Sequence, residues 1–235
     1  MVYQGSKFIT SFYKNMPMHY KKLFQETVKS ILRLFIIFFL TSLSAIPAFT
    51  QDNWELVKED EQIKVYLNKK QNNKHLTHVR ASSTTNRGSL KDYYALMKNV
   101  DNYKSWMHGI KNIELLEREN ENEFTYYMLS DFPWPAKDRD IVINTKVHYE
   151  KNKNLVYTDA ENQQNMVPEK EGIQRLKKMS ASWSFEQINP ETIKIKYEGK
   201  IYSSIVLPDW LKKHVSYIGP FNTIKNIKEE IGGEN

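Results

Sequence analysis

Cysteine is absent from all 235 residues. Disulfides, thiolate nucleophiles, cysteine-ligated zinc and lipidation of an N-terminal cysteine are thereby excluded. The short motifs of several common chemistries are missing too: there is no Gly-x-Ser-x-Gly elbow, no phosphate loop and no His-Glu-x-x-His. His75 and His78 stand three apart, which puts them on opposite faces of a strand and makes no metal pair. No catalytic residue, metal ligand or cofactor is expected, and the chain is not read as an enzyme. A charge excess on the body is also lacking. The formal net charge is +6, but residues 1–50 hold six of the 34 basic residues and only Glu26 of the 28 acidic ones. The remainder is nearly neutral, whereas a nucleic-acid binder concentrates basic residues on its folded domain. Nucleic acid is therefore not an expected partner. Finally, the apolar run from Leu34 to Leu40, extended by Leu43, falls short of the roughly 20 residues that span a bilayer.

The front of the chain has a plan of its own. Lys7, Lys14, Lys21, Lys22, Lys29 and Arg33 precede the apolar run, and Ser44, Ala45, Pro47 and Ala48 follow it. Basic, apolar and small-residue regions in that order read as a secretory signal peptide over residues 1–50, cleaved after Ala48 or Thr50. Met16 or Met18 as the start would give a basic region of more ordinary length. The alternative is an uncleaved anchor helix from about Ile31 to Phe49. Both place the body, residues 51–235, outside the cytoplasm: periplasmic or secreted, or held at a membrane if uncleaved.

The body begins as strands, passes through a helical stretch, returns to strands and ends helical. Ile63, Val65 and Leu67 alternate with polar residues, and Leu76 to Ala81 is a weaker strand. Asn86-Arg87-Gly88 turns the chain, and Ser89 caps a helix whose apolar side holds Leu90, Tyr93, Tyr94 and Met97. Asp101 is expected to cap a second short helix ending near Gly109, with Tyr103, Trp106 and Met107 on its apolar side. Strands are expected over Ile113–Glu119, Phe124–Ser130, Ile141–Tyr149, Leu155–Thr158, Met179–Ile188 and Ile193–Ile201, with a polar loop over Asn162–Gly172.

Three of these strands alternate cleanly. Ile141, Ile143, Thr145, Val147 and Tyr149 share a face, as do Met179, Ala181, Trp183 and Phe185, and Ile193, Ile195, Tyr197 and Ile201. One dry and one wet face per strand is the pattern of an antiparallel sheet covered on one side. Lys194, Lys196 and Lys200 form a basic row on the wet face: either a solvated edge or a transient contact with anionic lipid headgroups. At the C-terminus Pro208 suits a first helical position. Leu211, Val215 and Ile218 make an apolar stripe, Gly219-Pro220 should break or kink it, and Phe221, Ile224, Ile227 and Ile231 resume it. Such a helix needs a surface to cover, and the dry face supplies one. The expected fold is α+β: a curved antiparallel sheet wrapped round a long C-terminal helix, a helix-grip arrangement. Bulky Tyr126, Tyr149, Trp183 and Phe185 share the inward faces with Ala181, Thr145 and Gly199. That mixture leaves open whether the interior is a tunnel or a solid core.

The segment Asp131-Phe132-Pro133-Trp134-Pro135-Ala136-Lys137-Asp138-Arg139-Asp140-Ile141-Val142 is the most distinctive in the chain. Its prolines make a stiff extended loop that leads into a strand. It resembles the Pro-Trp-Pro-x-x-x-Arg-Asp signature of START domains, the lipid-transfer domains related to steroidogenic acute regulatory protein. Tyr103-Lys104-Ser105-Trp106-Met107 and the stretches Ile205–Leu211 and Gly219–Ile224 are similar to further family segments, in the same order. The resemblance covers roughly Trp54 to Ile231. It implies a ligand tunnel between sheet and C-terminal helix that binds and transfers one hydrophobic molecule or lipid without chemistry, in a monomer. The tunnel candidates are Tyr126, Trp134, Arg139, Ile141, Ile143, Thr145, Val147, Met179, Ala181, Trp183, Ile195, Tyr197, Leu211, Val215 and Ile218.

Arg139 and Asp140 match the family's Arg-Asp pair, but Thr145 stands where sterol-handling members carry a further basic residue. Fatty acid, phospholipid, sterol-like and isoprenoid ligands all stay open. Arg139 has the inward parity, so it is either a head-group contact or a salt bridge pinning the loop. Trp134 either closes a tunnel end or anchors the loop, and His108 is either a cavity base or a surface residue. Two other readings remain: an enzyme similar to polyketide cyclases and aromatases, drawing on His108, Tyr126, Tyr197 and Arg139, and an interaction module with a filled core.

Overall fold

Residues that alternate apolar and polar become, in a computed structural model, the strands of one large sheet. Residues 17–42, 53–71, 75–132, 137–202 and 209–233 are described. The chain falls into two compact units, Met1–Gln51 and Asp52–Asn235. The first contains helix α1, Met18–Ser42. It starts well before Ile31, because the Tyr20 and Lys21 amides donate to the Pro17 carbonyl and good helix formers follow. Ala48 and Thr50, the expected cleavage points, lie outside the described residues. Among the described residues no helix is long and apolar enough to cross a membrane.

In the second unit the elements are β1 (Trp54–Asp60), β2 (Ile63–Asn68), β3 (Leu76–Thr85), α2 (Leu90–Lys98), α3 (Tyr103–Trp106), β4 (Ile110–Asn120), β5 (Glu123–Ser130), β6 (Arg139–Glu150), β7 (Leu155–Gln163), β8 (Gln174–Arg175), β9 (Lys178–Asn189), β10 (Thr192–Tyr202) and α4 (Asp209–Gly232). The sheet order is β1-β2-β3-β10-β9-β7-β6-β5-β4, antiparallel throughout, with β8 pairing parallel to β6. It is a curved sheet closed by a C-terminal helix, an α+β helix-grip fold. Register shifts in β1 and β4 bend the two edge strands, since a bulge increases local twist.

Ser89 caps α2, its N–H donating to Asp92 Oδ2 at 2.7 Å. Tyr93 of α2 stacks on Phe185 of β9 with ring centroids 4.7 Å apart. The expected second helix is shorter than its apolar side suggests: a 3-10 turn over Val100–Asn102 leads into the four residues of α3, and Asp101 lies inside the turn rather than capping it.

Two expectations need correction. The C-terminal helix is not broken at Gly219-Pro220, because α4 runs through Pro220. A proline inside a helix costs about 3 kcal/mol, whereas burying Ile224 and Ile227 fully contributes about 1.5–3 kcal/mol each. Pro208 lies outside the described residues. The outer face of the sheet is also not wet throughout. Asp140 and Val142 have outward parity yet are buried, because β7 gives way to β8 beside the start of β6. Lys170 lies over the Tyr127 ring on the same side, 4.5 Å from its centroid.

Candidate ligand cavity

The cross-strand register sets the interior in rows. One row runs Val79, Gly199, Ala181, Ala160 and Thr145 across β3, β10, β9, β7 and β6. Nothing in it is larger than valine. The next row toward the α2 end runs Ala81, Tyr197, Trp183, Thr158 and Val147. Beyond it Ser83, Ile195, Phe185, Val156 and Tyr149 form a third, sealed by Tyr93 against Phe185. The small row leaves space, which Thr158, Trp183 and Tyr197 of the next row bound.

The result is a cavity of about 280 Å³ over the small row. The expected residues Tyr126, Arg139, Ile141, Ile143, Thr145, Met179, Ala181, Trp183 and Tyr197 line it. Val147 and Ile195 do not: both are buried in the larger rows, where Phe185 and Trp183 occupy the space beside them. Trp134 lies outside the described residues, as do the side chains of Leu211 and Val215. Ile218 does not line the cavity either. The helix turns a different face to it: Lys212, Ser216, Gly219, Pro220 and Thr223. These fall four, seven, eight and eleven positions along from Lys212, which is one side of a helix. Small and polar residues on that side leave room where the aliphatic stripe would have filled it.

Other lining residues carried a sequence signal that parity or motif could have supplied. Trp106 and Met107 belong to the Tyr-x-x-Trp segment, and Met128 follows Tyr126 by two on β5. For Thr77, Ile110 and Leu176 there was no local signal, because their positions depend on pairings far along the chain.

Three tyrosines line the cavity, and all stay protonated at neutral pH. Burial holds the Tyr103 and Tyr126 hydroxyls well above the ordinary phenol range and pushes Tyr197 up to about 12. His108 lines the cavity but is exposed at its mouth, with its backbone N–H donating to Thr223 Oγ1 at 3.1 Å and Asn222 Nδ2 3.3 Å from its Nε2. No nucleophile is paired with a base among the described lining residues. His75 precedes β3, whereas His78 is buried within it. Among the described residues no His, Asp or Glu group is arranged to hold a metal.

Among the described residues Arg139 is the charged side chain buried in the wall, 3% exposed. It makes no salt bridge among the described residues. Gln174 Oε1 lies 3.5 Å from Nη1, the Phe132 ring centroid lies 4.4 Å from the guanidinium carbon, and Nη2 has no hydrogen-bond partner. Burial lowers its pKa, yet an arginine keeps its charge in proteins. Trp106 Nε1 is a second buried donor without a partner. The neighbouring Asp140 belongs to another structure, a buried fork with Arg175 on the outer face. On that face the basic row is interrupted: Glu198 stands between Lys196 and Lys200 and binds Arg80 and His78, while Lys196 reaches Glu186 at 3.5 Å.

Comparison with known proteins gives a consistent picture. The model of the START domain matches residues 40–183, more than half of the chain. An uncharacterized protein of Pseudomonas aeruginosa is 26% identical over 178 residues, covering 75% of this chain and 86% of that one. Among solved structures, the STAR-related lipid transfer protein of Xanthomonas axonopodis superposes with a TM-score of 0.66 at 21% identity, covering 77% of this chain and 99% of that one. Human STARD10 gives 0.65 at 14% identity, with 77% and 74% covered.

Proposed function

Since this chain belongs to the START domain family, we propose that it binds one hydrophobic molecule between sheet and helix α4 and carries it through water unchanged. The observation that carries this reading is the cavity of about 280 Å³ over the row Val79-Gly199-Ala181-Ala160-Thr145, roofed by Ser216, Gly219, Pro220 and Thr223. Its wall is mostly aliphatic and aromatic. Burial supplies the affinity: each methylene removed from water contributes about 0.8 kcal/mol, so a chain of about ten gains about 8 kcal/mol. Losses of translational and rotational freedom offset much of that, which leaves a ligand held firmly and still exchangeable. The open interior speaks against an interaction module with a filled core.

Native mass spectrometry of the full chain, purified without detergent, tests the reading. An apolar molecule should co-purify and be recovered with its mass unchanged after incubation with the protein. A protein that retains no such molecule and takes up no added one overturns it; turnover of an added polyketide chain would point to a cyclase.

We also propose that residues 1–50 direct export, on the order of basic, apolar and small residues there. N-terminal sequencing of the protein recovered from fractionated cells should begin at Phe49 or Gln51. An intact N-terminus in the membrane fraction would indicate an anchor, and a full-length cytosolic protein would sink both.

A further inference from the structure

Cavity walls of this kind are apolar, and an arginine in one has a cost. Arg139 is 3% exposed, and its Nη2 has no hydrogen-bond partner among the described residues. A buried charge of that sort is retained when something neutralises it. Nothing in the described wall does so: no aspartate or glutamate lines the cavity, while Lys212 adds a second cation. Gln174 Oε1 at 3.5 Å is a weak, neutral acceptor, and the Phe132 ring covers one flank of the guanidinium. The nearest carboxylate in sequence, Asp140, is held on the outer face by Arg175.

We propose that the ligand is a single-chain amphiphile with a carboxylate-type anionic head, seated on the free Nη2 edge of Arg139. The proposal rests on the carrier reading above and specifies its ligand. Planar, fixed donors of a guanidinium suit a carboxylate, and removing that head from water is offset only where a cation is already waiting. The volume sets the number of chains. About 280 Å³ lies just below the roughly 300–1,000 Å³ range of ligand pockets, too small for two long acyl chains. Neutral Thr145 deeper along β6 leaves the tail an uncharged bed.

The test compares dodecanoate with 1-dodecanol, equal in chain and different in head, on the full-length protein. Binding is read by tryptophan fluorescence, to which Trp106 and Trp183 in the wall respond. Dodecanoate should bind about ten- to hundred-fold tighter, the span of one charge-assisted hydrogen bond. Arg139→Gln should erase that preference, and Arg139→Lys should keep part of it. Carboxyl-labelled dodecanoate on the wild-type protein gives a readout independent of any variant: its carboxyl should stay ionised to a lower pH than in water. Equal affinity for acid and alcohol, or a preference that survives Arg139→Gln, overturns the head-group assignment alone. Failure of both compounds to bind overturns the carrier reading with it. Sodium acetate should not displace dodecanoate at comparable concentration; if it does, the site takes a free anion and the amphiphile is wrong.

Discussion

Arg139 and Asp140 are neighbours in sequence and do not pair with each other. They open β6 on opposite sides of the sheet. Arg139 turns into the cavity, where its Nη1 donates to Gln174 Oε1 at 3.5 Å. Asp140 turns outward and takes two hydrogen bonds from Arg175, 2.8 Å from Nε and 2.9 Å from Nη2. The alternation of a strand thus separates a charge that faces the cavity from a charge paired on the outer face, and the two should respond differently to substitution.

Arg139→Met should stabilise the unliganded protein. The variant removes a buried cation that lacks a full set of partners and keeps a similar apolar volume. A gain of about 1–3 kcal/mol is expected, and each kcal/mol raises Tm by about 2–4 °C in a chain of this size. Differential scanning calorimetry of the full chain reads it. A loss of stability would mean that Arg139 serves the fold and not the cavity.

Arg175→Met or Asp140→Asn should do the opposite. The Asp140 carboxylate is almost wholly buried and the Arg175 guanidinium nearly so, and hydrogen bonding to Asp140 raises the Arg175 pKa. Removing one partner leaves the other charged and buried, at a cost of about 3–5 kcal/mol. Arg175 also donates to the Val167 and Pro168 carbonyls, so its loss should additionally loosen the segment before β8. Denaturant unfolding gives the stability change, and hydrogen exchange at residues 164–175 locates it.

Much of this was legible beforehand, and the limits have physical causes. Parity on β6, β9 and β10 identified which residues face inward, because strand alternation is local. It could not say how far along the sheet the open space extends. That depends on register: Gly199, Ala181 and Ala160 become one row only through pairings between distant strands. Val147 and Ile195 therefore had the right parity and lie beyond the open space. The helix was misjudged for another reason. Its aliphatic stripe marks the surface it packs, and Ile224 and Ile227 are fully buried, but a cavity needs the side that is not bulky. Ser216, Gly219 and Thr223 carry no hydrophobic signal to find them by. Burial of Asp140 was equally hidden, since it arises from β8, a two-residue strand within a stretch too short and polar to read as one.

Ala181→Phe should abolish ligand binding without unfolding the protein. Ala181 sits mid-row between Gly199 and Ala160, and a phenyl group there occupies the space a ligand needs. Because the cavity accepts the ring, the usual overpacking cost of about 1–3 kcal/mol should be reduced, with Tm near wild type and binding at least tenfold weaker. Gly199→Ala is the informative partner. A Cβ at Gly199 would meet the Tyr197 hydroxyl oxygen and lie 2.9 Å from Cζ, so it must push a ring that packs 4.6 Å from Trp183. This smaller change should therefore cost more stability than the larger one at Ala181. Paired melting curves and fluorescence titrations decide the matter, and comparable destabilisation at both positions would contradict the open row.

The last prediction concerns acid sensitivity. His78 of β3 is buried against the edge of Trp54, and its Nε2 lies 2.6 Å from Glu198 Oε1. Burial lowers its pKa below 6.5, the Glu198 carboxylate only partly opposing this. The unfolded chain therefore takes up this proton first as pH falls. The contribution of neutral His78 to stability is present above about pH 6.5 and is lost progressively below it. Burial pushes the Glu198 carboxyl up, but hydrogen bonds from Arg80 and His78 outweigh that and hold it below 4.5. Its contribution has the same sign: it is present above that value and is lost only in stronger acid. Stability should thus decline in two limbs, one beginning near pH 6.5 and one below about pH 4.5. His78→Gln keeps a donor for Glu198 without a titrating ring, so it should flatten the upper limb and leave the lower one. Chemical denaturation at intervals from pH 4 to 8 measures both limbs, and an unchanged upper limb in the variant would assign the acid sensitivity to another group.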